Sequence, residues 1–258
     1  MIKLNCTRFD AARIPVLSDV EINRFAHRVL MDYKPGLLQE PGKINYTHFI
    51  ESYLGASLNY QDIYYENKDK PILGMTIFTE GTVKVFNRDR LCVTEVWMDD
   101  RTVILDNYVT QEGREGLELF TALHESGHLC LDSVDYGEDD YDFDEPRDRI
   151  SCYREGIENF SSSRRQRTPQ EWKEHHADYF AACIAMPDAT FIPFIRQALR
   201  DNGVWKPQIS TGRDEDTDYM AEALLPELIA ETYGVSRKAA FIKLIKCGFV
   251  VDCKQRKT

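Results

Sequence analysis

The chain of 258 residues has no CxxC pair, no internal repeat, no low-complexity tract and no long apolar run. Without about 18 consecutive apolar residues it is not expected to span a membrane. The first fifteen residues, MIKLNCTRFDAARIP, carry charges throughout and offer no uninterrupted apolar stretch, so no secretory signal is expected. Seven cysteines (Cys6, Cys92, Cys130, Cys152, Cys183, Cys247 and Cys253) are scattered and odd in number. That pattern suits reduced, mostly buried thiols in a cytoplasm better than a disulfide framework. Cations are scarce: 32 Lys and Arg face 43 Asp and Glu, for a net charge of -11. Broad binding to a phosphate backbone, which rests on Lys and Arg displacing counterions, is therefore disfavoured, and a basic protein partner suits this surface better.

What remains is ample chain to bury a core without metal or disulfide, in one or two domains. Ser18-Asp19-Val20-Glu21 has capping-box spacing and opens a helix to Tyr33, with Ile22, Phe25, Ala26, Val29 and Leu30 as its apolar face. A short helix is expected over Tyr46–Leu54, ending at Gly55. The stretches Ile72–Phe78, Thr82–Phe86, Val93–Met98 and Thr102–Tyr108 are β-branched or aromatic and read as a small, largely antiparallel sheet. Glu112–Leu131 reads as a long helix with acidic residues at its positive end. The strongly acidic run Asp132–Asp148 and the basic Ser161–Arg167 read as solvated loops, and the acidic run does not meet EF-hand spacing. Thr168-Pro169-Gln170-Glu171 begins a helix that stops before Pro187; a Pro- and Gly-punctuated segment follows, then helices over Asp218–Tyr233 and Ser236–Cys247.

The chemistry concentrates in Leu123-His124-Glu125-Ser126-Gly127-His128-Leu129, an HExxH motif. Residues four apart on a helix differ by about 40° in azimuth, so both imidazoles point to one side and suit two corners of a zinc tetrahedron. Glu125, about 100° away, suits a water beside the metal rather than the metal itself. The competing reading is a pair of satisfied core histidines, since Leu117, Phe120, His124 and Leu131 share one stripe.

A catalytic zinc needs a third protein ligand and an open position. Glu174-His175-His176-Ala177-Asp178 supplies one on the next helix: Glu174 and Asp178 share a face, and the small Ala177 and Ala181 beside them allow close approach. Glu174 is then the third ligand, and Asp178 a partner for the second nitrogen of a ligand histidine. His175 and His176 are rival ligands rotated off that face by about 100° and 200°. Either of them, or Tyr179, is a candidate to stabilise an oxyanion.

Here the chain resembles the ImmA/IrrE family of zinc metallopeptidases. The resemblance is carried by LFTALHESGHLCL (Leu119–Leu131), EHHADYFAACIAMP (Glu174–Pro187), YGVSRKAAFIKLIKCG (Tyr233–Gly248) and the strand ILGMTIF (Ile72–Phe78), and it covers about two-thirds of the chain. It implies an α+β, zincin-like metallopeptidase domain over residues 1–215, including an insertion at 132–167, and a C-terminal, helix-turn-helix-like segment at 216–258 packed against it. It further implies one zinc ion on His124, His128 and Glu174, with Glu125 as general base and acid. The ExxxD arrangement also looks like the gluzincins, in which the Asp, here Asp178, supports a ligand histidine. Asp178 stands where the family often has Asn, and the stretch between His128 and Glu174 is longer than usual. The implied substrate is a helix-turn-helix repressor of a mobile element or stress operon, cut in the cytoplasm. The other reading is a regulatory DNA- or protein-binding protein with a non-catalytic zinc site, touching phosphate through Arg237, Lys238, Lys243 and Lys246 within residues 234–248.

Overall fold

A computed structural model of the chain describes residues 2–11, 14–67, 69, 71–132, 149–153, 168–212 and 214–252. The charged blocks at 133–148 and 154–167 lie outside the described residues.

Helix α1 (Asp19–Tyr33) starts at the expected capping box, in which the Ser18 amide donates to Glu21 at 2.8 Å and the Glu21 amide donates to the Ser18 hydroxyl at 3.3 Å. Its apolar face, Ile22, Phe25, Ala26, Val29 and Leu30, is buried. Helix α2 (Tyr46–His48) runs on as a π-helical turn, Phe49–Leu54, and stops at Gly55.

The strands β1 (Ser57–Gln61), β2 (Ile72–Ile77), β3 (Gly81–Asn87), β4 (Cys92–Met98) and β5 (Thr102–Asp106) follow. They do not form the single sheet expected. One sheet has the order β1-β5-β2-β6, where β6 is Arg149–Tyr153; β3 and β4 pair only with each other as a separate hairpin. Within the larger sheet β5, β2 and β6 are antiparallel, but β1 joins β5 in parallel. The apolar composition of all four predicted stretches concealed the division. Val83, Val85 and Met98 of the hairpin cover Met75, Ile77 and Ile104 on one face of the sheet, whereas Val103 and Leu105 enter the main core on the other. Neither β1 nor β6 was expected, and β6 lies within the insertion at 132–167, between the two charged blocks read as solvated loops. Strand β5 lies inside the sheet between β1 and β2.

Helix α3 (Glu115–Leu131) lies on the main-core face of the sheet and α4 (Pro169–Ala185) crosses it. The second expected capping box holds the start of α4: the Thr168 amide donates to Glu171 at 2.6 Å, and the Glu171 amide to the Thr168 hydroxyl at 3.2 Å. Phe25 of α1 meets Phe180 of α4, ring centroids 5.9 Å apart. The segment after Pro187 is not irregular but a helix, α5 (Asp188–Asp201), with Pro193 inside it. Proline removes one backbone donor there. The residue is exposed, while Phe191, Ile195, Ala198 and Leu199 bury the opposite face and hold the helix. Strand β7 (Ile209–Thr211) pairs in parallel with β8 (Val250–Asp252). Between them run α6 (Glu215–Tyr219), a π-helical turn (Met220–Leu224), α7 (Leu225–Tyr233) and α8 (Arg237–Lys246). The C-terminal helices pack on the rest: Tyr233 is fully buried and donates to Thr190, and Gly116 of α3 meets the backbone of Val235 and Ser236. Among the described residues Cys130 and Cys183 are buried free thiols, Cys6 and Cys247 are partly buried, and Cys92 is exposed.

The α3–α4 crossing depends on two small residues. A Cβ on Gly127 would stand 2.9 Å from Ala177 Cα and 3.2 Å from its carbonyl oxygen. Gly127→Ala gains up to about 1 kcal/mol in helix propensity, but overpacking against backbone costs about 1–3 kcal/mol. We expect a net loss of about 1–2 kcal/mol in chemical denaturation; a stabilised variant would show that the helices are not in contact there.

Candidate metal centre

The geometry of α3 and α4 brings three donor groups together. His124 Nε2 lies 3.0 Å from His128 Nε2 and 3.2 Å from Glu174 Oε2, and His128 Nε2 lies 3.8 Å from Glu174 Oε1. Tetrahedral bonds of about 2.1 Å would set such atoms about 3.4 Å apart, so the spacing suits one divalent ion. All three ligand atoms fall within 4.8 Å of one another.

The second nitrogens explain why the rings face this way. His124 Nδ1 meets Asp178 Oδ1 at 2.8 Å, and His128 Nδ1 meets Asp132 Oδ2 at 2.7 Å. A carboxylate only accepts, so each ring proton sits on Nδ1 and each Nε2 turns a lone pair inward. Two lone pairs and a carboxylate aimed at one point repel unless a cation lies between them. Burial works against the charge of Glu174, but the adjoining His124 and the neighbouring His128 hold the carboxyl below its usual range. Gln170 Nε2 also donates to Glu174, at 2.6 Å.

Glu125 is fully buried. Thr76 of β2 donates its hydroxyl to Glu125 Oε2 at 2.6 Å, while Oε1 has no hydrogen-bond partner among the described residues. Burial raises the carboxyl from 4.5 to about 7, against the lowering influence of His124 and His128. The side chain fits because β2 has Gly74 where it passes: a Cβ there would stand 2.7 Å from Glu125 Oε1 and 2.8 Å from Thr121 Cγ2. Between Ile72 and Gly74 the register against β6 shifts, a β-bulge of the kind that re-aims side chains. Beyond it Gly74 and Thr76 face α3, while Met75 and Ile77 face the hairpin.

Of the remaining candidates, neither His175 nor His176 joins the cluster of donor atoms. His175 bonds Asp19 of α1 at 2.9 Å. His176 is buried, its ring 5.7 Å from that of Trp172, and burial pushes its imidazole down to about 4. Tyr179 lies under Lys246, whose Nζ is 5.2 Å from the ring centroid. Three residues at the site were missed: Asp132, Thr76 and Gly74. Asp132 stands four residues after His128, a helical-face spacing legible in principle but submerged in the acidic run. Nothing local marks Thr76 or Gly74, because their role depends on which face of a bulged strand meets α3.

A small sheet backing two crossed helices that carry HExxH and ExxxD defines a zincin-like α+β metallopeptidase. Residues 108–244, more than half of the chain, match the peptidase family M78, described as the IrrE N-terminal-like domain, and the chain belongs to that family. No curated protein matches it. Among the described residues no helix is long and apolar enough to cross a membrane.

Glu125 makes the metal-free protein sensitive to pH. Folded, it keeps its proton to about pH 7; its ordinary value is 4.5. The stability tied to that proton is whole below about 4.5 and is lost as pH rises through about 7, a loss on the order of 3 kcal/mol. Glu125→Gln should therefore be the more stable protein at pH 8, by up to about 3 kcal/mol, with the gain absent near pH 4. Denaturation of chelator-treated protein at both pH values checks this, and an equal effect at both would refute it.

Proposed function

We propose that His124, His128 and Glu174 hold one zinc ion, and that the protein is a cytoplasmic endopeptidase that cuts a helix-turn-helix transcriptional repressor. The observation that carries the metal assignment is the pair of Nε2 atoms 3.0 Å apart, each on a ring whose Nδ1 is tied to a carboxylate. Zinc held there would supply a Lewis acid that brings the pKa of water towards about 7 and polarises a scissile carbonyl.

The protein's own groups do the rest. Asp178 and Asp132 fix the tautomer and rotation of the two rings, as carboxylates behind ligand histidines do. Thr76 holds Glu125 Oε2 and leaves Oε1 as the atom that takes a proton from the attacking water. The water oxygen bonds to the carbonyl carbon, the C–N bond breaks, and Glu125 returns the proton to the leaving nitrogen. A carboxyl with proton affinity near pH 7 is matched to both transfers. Strands β1 and β6 are the edges of the sheet, and β6 adjoins β2, which carries Thr76. We place an extended substrate segment along the β6 side, paired through its backbone.

A DNA-binding repressor is basic where it meets phosphate, and a chain of net charge -11 attracts such a partner. The family resemblance supports the same substrate class. The phosphate-binding reading of residues 234–248 loses one of its cations, because Lys243 is buried and bonds Asp188 at 2.5 Å; Arg237 pairs with Glu227. We read residues 216–258 as a wall of the peptidase rather than a DNA reader.

Glu125→Gln should bind one zinc per chain yet cleave at least about a hundredfold more slowly a helix-turn-helix regulator encoded beside its gene. Chelator should abolish cleavage by the parent. A fully active Gln variant would remove Glu125 from the chemistry, and cleavage indifferent to chelator would remove the metal. Asp132→Asn should weaken zinc binding about 10- to 100-fold in competition with a chelator; unchanged affinity would mean that Asp132 does not position His128.

A further inference from the structure

Helices α3, α4, α5 and α8 leave a cavity of about 400 Å³ between them. Neither His124, Glu125, His128 nor Glu174 lines it, so it is distinct from the metal centre, although Asp178 contributes to its wall. The interior is apolar: Phe120, Cys183 and Met186 are buried, and Leu117, Ile192 and Ile242 complete it. The rim is cationic, with Lys238 and Lys246 exposed.

The polar groups of the wall narrow the chemistry of an occupant. Asp188 bonds Lys243 at 2.5 Å and Asn23 at 2.6 Å, and Asp178 bonds His124 at 2.8 Å. Ser236 accepts from the Ala239 amide at 3.1 Å as the cap of α8. The two acids and this hydroxyl are thus committed, and the rim lysines set the sign of the field at the mouth. A peptide would bring several amides into an interior with few polar partners, each unmade hydrogen bond costing about 1–3 kcal/mol. A cation would meet Lys238 and Lys246. An apolar body with one anionic end meets neither penalty. Cavities of about 300–1,000 Å³ with apolar linings and few polar groups are the usual form of small-molecule sites, and a cavity of about 150 Å³ already holds benzene. By that scale this one holds on the order of a dozen heavy atoms.

We propose that the cavity between α3, α4, α5 and α8 is a binding site for a small amphipathic monocarboxylate, its hydrocarbon chain against Phe120, Met186 and Ile242 and its carboxylate at the Lys238–Lys246 rim.

Decanoate is the probe, titrated calorimetrically into the full-length protein, with decanol and decyltrimethylammonium as neutral and cationic controls. The expected result is saturable binding of one decanoate per chain and a raised Tm, with both controls at least tenfold weaker. Lys238→Glu/Lys246→Glu, at exposed positions, should keep the parent Tm without ligand and bind decanoate at least tenfold more weakly. Ala182→Trp, which fills the cavity, should abolish binding. If the double variant does not fold, the Ala182→Trp result and the two control ligands decide the matter. The proposal is overturned by absence of one-site binding up to about 1 mM, by decanol binding as tightly as decanoate, or by undiminished binding in a folded variant.

Discussion

Two imidazole nitrogens held 3.0 Å apart with their lone pairs facing are the constraint around which the protein is arranged. Alone they would turn away from one another. They stay because Asp178 and Asp132 grip the other nitrogen of each ring, and the two acids come from different places: one from α4, the other from the C-terminal cap of α3. The His124 ring position therefore needs α3 and α4 at a fixed separation, while the His128–Asp132 pair is set within α3 itself. That separation is set where Gly127 meets Ala177, within the HExxH segment itself. The small residue inside the motif is a packing requirement.

The Glu125 carboxyl is maintained against its own energetics. A fully buried glutamate whose proton affinity is raised to about 7 stores roughly 3 kcal/mol above that pH. That is roughly a fifth to three-fifths of the 5–15 kcal/mol by which folded domains usually exceed their unfolded states. The surrounding structure carries this load through apolar burial on both faces of the sheet: the main core on the helix side and a second cluster beneath the β3–β4 hairpin. The hairpin lies on the face away from α3. It covers Met75, Ile77 and Ile104, and Thr76 on the other face of β2 holds Glu125 Oε2.

How much of this was legible in the sequence follows from how local each relation is. His124, Glu125 and His128 share one helix, so spacing alone aligns them. Glu174 and Asp178 are likewise one turn apart, and the capping box at Thr168–Glu171 marks where their helix starts. Asp132 obeys the same four-residue rule but stands at the head of an acidic run, where composition argued for solvent; it is 1% exposed. Strand order was not legible. β1 pairs in parallel with a strand some forty residues away, and the β3–β4 hairpin has the same alternating pattern whether it extends a sheet or lies across it. Gly74 and Thr76 were beyond reach for a related reason, since the bulge at Ile72–Gly74 decides which face each presents. Helix α5 was lost to Pro193, a residue that disfavours a helix interior by about 3 kcal/mol in isolation but here occupies an exposed position on an otherwise well-buried amphipathic helix.

The long connection between α3 and α4 carries one further consequence. Its closure entropy grows only with the logarithm of length, so added residues cost the metal centre little. Both ends are fixed by interactions that serve the site or its helix: Asp132 bonds His128 at one end, and Thr168 caps α4 at the other. Between them β6 is tied to β2 in antiparallel register. The connection can therefore vary without moving a ligand atom. Because β6 borders the strand that positions Glu125, though, that same connection supplies the edge of the sheet nearest the site. The sheet edge beside Glu125 and the His124–His128–Glu174 cluster thus come from different stretches of the chain, which lets the first change while the second stays fixed.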